Sequence, residues 1–221
     1  MNNRQKKVRS AVRRDHAENY LLTSLIAFAV TVILTRGYLE VTGYPQLGNS
    51  VLHIAHALWG GLLLFVAVLL PLALANRWAI QASALLSGIG AGLFIDEVGK
   101  FITQSNDYFF PPALSLIYGF FLINVFVYLH FRRPHQGKPR SAMYRAFEGL
   151  QDLLDGDLDT DEATRIETHL AAARKSDREE ILSLANAISD FLQQESEHLS
   201  AAEPGVWKRT TRWLDAFGQR L

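Results

Sequence analysis

The sequence predicts an all-α protein, a four-helix transmembrane bundle with a helical cytoplasmic C-terminal tail. Three observations predict this class. Four apolar runs without Asp, Glu, Lys or Arg cover residues 19–35, 50–76, 78–95 and 108–131, and each approaches or exceeds the roughly 20 residues that cross a bilayer core of about 30 Å. After the fourth run, charged residues alternate with apolar ones at helical spacing. Lys and Arg are also unevenly distributed between the links that join the runs.

These patterns divide the chain into three segments. Residues 1–19 are a basic cytoplasmic arm, residues 20–133 the four-helix transmembrane domain, and residues 134–221 the helical cytoplasmic tail. Lys and Arg number 22, as do Asp and Glu, and this neutral balance argues against binding to nucleic acid. The chain has no cysteine, which excludes disulfides, thiolate catalysis and cysteine-ligated metal sites.

Lys and Arg predict the orientation in the membrane. Several of them precede residue 20, and Arg77 lies in the link between the second and third runs. The fourth run is closely followed by Arg132, Arg133, Lys138 and Arg140. The links 37–49 and 101–112 contain no Lys or Arg. Basic residues accumulate on the cytoplasmic side, so both termini are expected in the cytoplasm and these two links outside.

Each span has a recognisable start or face. Helix one, about residues 20–38, carries Arg36 near its outer end, and helix two starts near residue 51. Helix three is expected to continue without a break to residue 103, with glycines at 88 and 92 that permit close helix contact. Helix four starts near Pro112, since proline suits a first turn.

The tail shows two further signals. Asp159 followed by Glu162 predicts a capping box at the start of a helix. The segment 206–221 is amphipathic, and two interpretations stay open for it, either lying on the inner membrane surface or covering the small core of the tail.

The charged residues at the outer ends of helices two and three predict a polar site. With a rise of about 1.5 Å per residue, His56 lies level with Asp96, and His53 lies level with Lys100. Glu97 points toward another neighbour, and we expect Arg36 to neutralise it. The site therefore consists of His53, His56, Asp96, Glu97 and Lys100, with Arg36 and Asp107 at its rim.

Three interpretations of this site stay open. The charge pairs only lock the bundle, or the site binds or transports a cation, proton or small polar ligand, as ionisable groups at membrane depth commonly do. In the third, a divalent metal held by His53, His56, Asp96 and Glu97 activates water for hydrolysis. The sequence does not decide whether the protein is an enzyme.

Roles within the site follow from the chemistry of each side chain. His56 is expected to be a ligand or proton acceptor with Asp96 as its partner, Glu97 is a second acid, and Lys100 contacts an anion or lipid headgroup. The lipid bilayer is the expected partner. A homo-oligomer and a cytoplasmic partner of the tail are left open.

Three motifs carry a family resemblance. They are HIAHALWGG at residues 53–61, FIDEVGKFIT at residues 94–103 and NDYF at residues 106–109. Together they resemble an uncharacterised family of bacterial multi-pass membrane proteins, over about residues 36–131. The resemblance implies a multi-pass protein of the bacterial inner membrane and assigns no activity or cofactor.

Overall fold

The computed structural model describes residues 10–42, 56–103, 110–133, 138–156 and 158–195. Within these ranges the regular secondary structure is helical and contains no strand, so the all-α class is confirmed. The helices are α1 Ala17–Thr42, α2 His56–Ala73, α3 Arg77–Asp96, α4 Val98–Ile102, α5 Pro111–Arg132, α6 Pro139–Leu154, α7 Thr160–Ala173 and α8 Glu179–Glu195.

Four of these helices, α1, α2, α3 and α5, are long and apolar enough to cross a membrane. They coincide with the four apolar runs. Many of their outward side chains are large and apolar, among them Ile33, Leu72 and Phe126. Such a surface suits acyl chains, and a helix satisfies its own backbone hydrogen bonds in a bilayer.

α3 lies between α1 and α2 and contacts both through glycines. A Cβ atom at Gly92 would lie 2.8 Å from Thr31 Cβ on α1, and Gly88 faces the carbonyl of Ser24 on the same helix. On the other side of α3, a Cβ atom at Gly90 would lie 2.8 Å from the carbonyl oxygen of Gly60 on α2. Gly88 and Gly92, predicted to permit close helix contact, therefore admit α1.

The third span is interrupted, contrary to the expectation of a continuous helix to residue 103. α3 ends at Asp96 and α4 begins at Val98, with Glu97 between them at φ −88° and ψ 5°. The Lys100 N–H donates to the Glu97 carbonyl three residues earlier, which tightens the turn. The Arg36 guanidinium lies 3.5 Å from the carbonyl oxygen of Asp96 and helps to satisfy the end of α3.

α5 packs against α1. The rings of Phe28 and Phe120 have centroids 5.2 Å apart, and Leu22 and Tyr128 are buried together. With the α1–α3 and α2–α3 contacts, this completes a compact unit formed by the described part of residues 16–133.

A second compact unit contains the described residues 10–15 and 138–195. α6, α7 and α8 enclose a core that includes Met143, Ile166 and Leu170. The predicted capping box is confirmed, because Glu162 N–H donates to Asp159 Oδ1 at 2.9 Å and Asp159 N–H donates to Glu162 Oε2 at 3.2 Å. The segment 206–221 lies outside the described residues.

The described part of the N-terminal arm packs on this unit. Asp15 N–H donates to Glu148 Oε2 at 2.7 Å, Arg14 Nε lies 3.1 Å from Glu148 Oε1, and Arg140 donates to the carbonyl of Ser10 at 3.0 Å. α1 begins at Ala17, two residues after Asp15. Residues 10–15 thus pack against α6, and we call this segment the strap.

Candidate functional site

The candidate site forms where the C-terminal end of α3, the first turn of α2 and the C-terminal half of α1 meet. Asp96 and Glu97 lie at its centre, and the side chains of both are 0 % exposed. Buried charges require partners, because burial without them is costly. The surrounding helices supply those partners.

Asp96 is held by groups from two other helices. Arg36 Nε on α1 donates to Asp96 Oδ1 at 2.7 Å. His56 Nε2, on the first residue of α2, lies 3.4 Å from Asp96 Oδ2. Because Arg36 also reaches the backbone carbonyl of Asp96, one guanidinium contacts both the side chain and the helix end.

Glu97 has a different set of partners. Lys100 Nζ on α4 donates to Glu97 Oε1 at 2.7 Å. The backbone N–H of Ala57 donates to Glu97 Oε2 at 2.9 Å, and His56 Nδ1 lies 3.6 Å from the same oxygen. The break between α3 and α4 therefore positions this carboxylate at the first turn of α2.

His56 lies between the two carboxylates, with one ring nitrogen toward each. Its distances of 3.4 Å and 3.6 Å are longer than an ordinary N–H···O hydrogen bond of about 2.7–3.2 Å. Arg36 and Lys100 supply two positive charges to the two carboxylates. With a neutral imidazole this five-residue cluster, Arg36, His56, Asp96, Glu97 and Lys100, has no net charge.

The basic side chains form the accessible part of this cluster. The side chains of Arg36, His56 and Lys100 are 23 %, 24 % and 28 % exposed, whereas both carboxylates are completely enclosed. A ligand or proton that approaches from outside the bundle therefore meets the bases first.

The structure places His56 beside Asp96, as the helical rise predicts. The other charges are paired differently from the prediction. Arg36 was expected at the rim with Glu97, and its Nε atom is instead bonded to Asp96. The Glu97–Lys100 pair was not anticipated, although the separation of three residues is a signal for it. Ala57 was also missed, since sequence gives no sign of a backbone donor. His53 and Asp107 lie outside the described residues.

The donor set bears on the metal interpretation. Among the residues that the structure describes, no group of three or more His, Asp or Glu side chains is arranged to hold a metal ion. Each carboxylate already accepts a hydrogen bond from a basic side chain. Because His53 belongs to the predicted ligand set and is not described, the metal site stays a prediction.

Comparison of the chain with protein-family models, curated proteins and solved structures finds no match. The resemblance to a bacterial membrane family stays an expectation. Function is therefore inferred from the geometry of the five-residue cluster.

Proposed function

We propose that the protein is a multi-pass integral membrane protein of the bacterial inner membrane that binds a proton at His56, in a cluster on its outer side. Four helices with the length and composition of membrane spans support the first part. Residues 10–15 precede the first span and residues 138–195 follow the fourth, and their contacts favour placement of both on one side of the membrane. Lys and Arg next to the ends of these spans, such as Arg14, Arg132 and Arg133, contrast with their absence from the links 37–49 and 101–112, and this favours the cytoplasm.

One observation carries the proton assignment, namely that the His56 ring faces a fully buried carboxylate with each of its nitrogens. A neutral imidazole has one N–H and a protonated imidazole has two. Protonation thus adds a donor toward the second carboxylate. The added positive charge then lies next to both carboxylates.

The charge balance favours a proton over a divalent metal. Arg36 and Lys100 already neutralise Asp96 and Glu97, so a divalent cation adds two positive charges beside two fixed ones. A proton adds one charge and binds to a ring nitrogen of His56, so it does not need a carboxylate oxygen as a ligand. Binding of a proton at His56 would strengthen the contacts of α2 with Asp96 at the end of α3 and with Glu97 at the break.

The test is infrared difference spectroscopy on purified protein in lipid vesicles after a step to lower pH. Wild-type protein is expected to show a shift of carboxylate bands, because the new imidazolium polarises Asp96 and Glu97. His56→Gln removes this shift. The matched control is His130→Gln, which replaces an exposed histidine near the C-terminal end of α5. This variant retains the shift. Equal carboxylate shifts in wild type and His56→Gln contradict the proposal.

A structural role is the second candidate, and two contacts favour it. Arg36 reaches the last carbonyl of α3, and Glu97 satisfies an N–H in the first turn of α2. A purely structural cluster predicts that His56→Gln lowers thermal stability and leaves the response of the carboxylate bands to pH as in the wild type. Proton binding predicts that the same variant also removes the shift of those bands.

A further inference from the structure

α6 has two apolar faces, of which only one is used in the core of its unit. Ala142, Met143 and Ala146 are buried against α7 and α8. A second stripe contains Tyr144, Phe147, Gln151 and Leu154, at alternating spacings of three and four residues, which places them along one side of the helix. Its large residues are exposed, by 53 % at Tyr144, 45 % at Phe147 and 86 % at Leu154. We call these four residues the outer stripe.

Two chain connections keep α6 close to the ends of membrane-spanning helices. Its first residue, Pro139, follows the end of α5 at Arg132 by seven positions, a span of at most about 25 Å. Farther along α6, Glu148 accepts the hydrogen bond from Asp15, which lies two residues before α1 begins. The two attachment points on α6 are nine residues apart, about 14 Å along the helix. The chain alone therefore limits how far Pro139 can lie from the end of α5 and Asp15 from the start of α1.

The charge at the start of α6 suits an anionic surface. Lys138 and Arg140 lie there, whereas Arg14 on the strap is paired with Glu148. The Arg140 guanidinium lies 5.2 Å from the centroid of the Tyr144 ring, so that an aromatic ring and a cation are presented together. Aromatic side chains flanked by Lys and Arg are the composition of helices that lie at the lipid interface.

We infer that the outer stripe of α6 binds the cytoplasmic surface of the bilayer, with Tyr144, Phe147 and Leu154 among the headgroups and the basic residues on anionic lipid phosphates. The occupant is the lipid surface itself. This inference rests on the four membrane spans and is independent of proton binding at His56.

The absence of cysteine from the chain permits a test on the full-length protein with single spin labels. Phe147→Cys and, as a second site on the stripe, Tyr144→Cys are compared with Leu184→Cys on α8, which is 43 % exposed in the wild type and lies outside the stripe. Each labelled protein is reconstituted into vesicles of phosphatidylethanolamine and phosphatidylglycerol, and its helical content is checked by circular dichroism. Collisions of the label with lipid-soluble oxygen and with a water-soluble nickel chelate are then measured.

We expect both stripe labels to collide more with oxygen than with the nickel chelate and the Leu184→Cys label to show the reverse. Lys138→Gln with Arg140→Gln, or vesicles of phosphatidylcholine alone, shift the stripe labels toward the nickel chelate, because the attraction to anionic lipids is lost. Equal access of nickel to all three labels overturns the inference. Spin–spin broadening that disappears on dilution with unlabelled protein would mean that a second copy covers the stripe, and protection from both reagents without broadening would mean that the chain itself covers it. Both outcomes also overturn the inference.

Discussion

The Glu97 carboxylate accepts a hydrogen bond of 2.9 Å from the backbone N–H of Ala57, so a side chain from the α3–α4 break caps the first turn of α2. The first N–H groups of a helix lack partners within it, and a negative charge is favourable at that end. The same carboxylate accepts a hydrogen bond from Lys100 at 2.7 Å. The Glu97 side chain therefore satisfies the first turn of α2 and forms a charge pair with Lys100 of α4.

Replacement of Glu97 is expected to destabilise the membrane domain. Glu97→Gln keeps an oxygen that accepts from Ala57 but removes the negative charge that Lys100 Nζ contacts. Breaking a buried charge pair costs about 3–5 kcal/mol, which is an upper limit here because Lys100 is partly exposed. Thermal unfolding in detergent measures the loss. Glu40→Gln, an exposed acid on α1, is the matched control and should change the free energy of unfolding by no more than about 0.5 kcal/mol.

Arg36 and Asp96 are expected to be energetically coupled. Arg36→Gln and Asp96→Asn each remove one side of a 2.7 Å contact, so the double variant should lose less stability than the sum of the single variants. Contacting residues show coupling energies of about 0.5–3 kcal/mol. A double-mutant cycle by thermal unfolding measures this energy, and strictly additive losses would show that the contact contributes nothing.

Gly60 and the adjacent Gly61 offer a matched pair for the α2–α3 contact. A Cβ atom at Gly60 would lie 2.7 Å from the carbonyl oxygen of Gly90, whereas one at Gly61 meets nothing within 4 Å. Gly60→Ala must push two backbones apart and should cost about 1–3 kcal/mol. Gly61→Ala should be neutral or stabilising, since alanine favours helix by about 1 kcal/mol. Similar losses in the two variants, measured by thermal unfolding, would contradict this packing.

The tail contains a packing contact that a second substitution should repair. A Cβ atom at Gly149 would lie 2.6 Å from Ile166 Cγ1, so Gly149→Ala overpacks the contact of α6 with α7 and should cost about 1–3 kcal/mol. Ile166→Val removes a methyl group from the crowded side chain and should recover part of that loss in the double variant. Hydrogen exchange of the α6 and α7 amides in the full-length protein reports both effects. Faster exchange in the double variant than in Gly149→Ala would contradict the contact.

Sequence patterns predict the membrane helices well, because four long apolar runs have few alternatives to spanning a bilayer. That His56 and Asp96 lie at the same depth in the bundle also follows from the helical rise alone. The break at Glu97 could not be predicted in this way, since residues 94–103 contain no proline and continue a helical pattern. The break depends on partners from other helices, the Arg36 guanidinium and the Ala57 N–H, which become neighbours only after folding.

The faces of α3 illustrate the same limit. Glycines four residues apart predict that some helix approaches closely, but they do not identify the helix. Gly88 and Gly92 meet α1, while Gly90 and Gly60 make the contact with α2. Asp96 follows Gly92 at the same four-residue spacing, so it lies on the face of α3 that meets α1 and contacts Arg36. For this reason Arg36 pairs with Asp96 and not, as predicted, with Glu97.

The central claim, that His56 binds a proton between Asp96 and Glu97, is tested most directly by solid-state NMR of the protein in lipid vesicles. With ¹⁵N-labelled histidine and ¹³C-labelled Asp and Glu, His56 signals are assigned by their loss in His56→Gln. At acidic pH both ring nitrogens should be protonated, with Nε2 dipolar-coupled to the Asp96 carboxylate carbon and Nδ1 to that of Glu97. An imidazole that remains neutral throughout the pH range in which the protein stays folded, or that shows coupling to neither carboxylate, would contradict the claim.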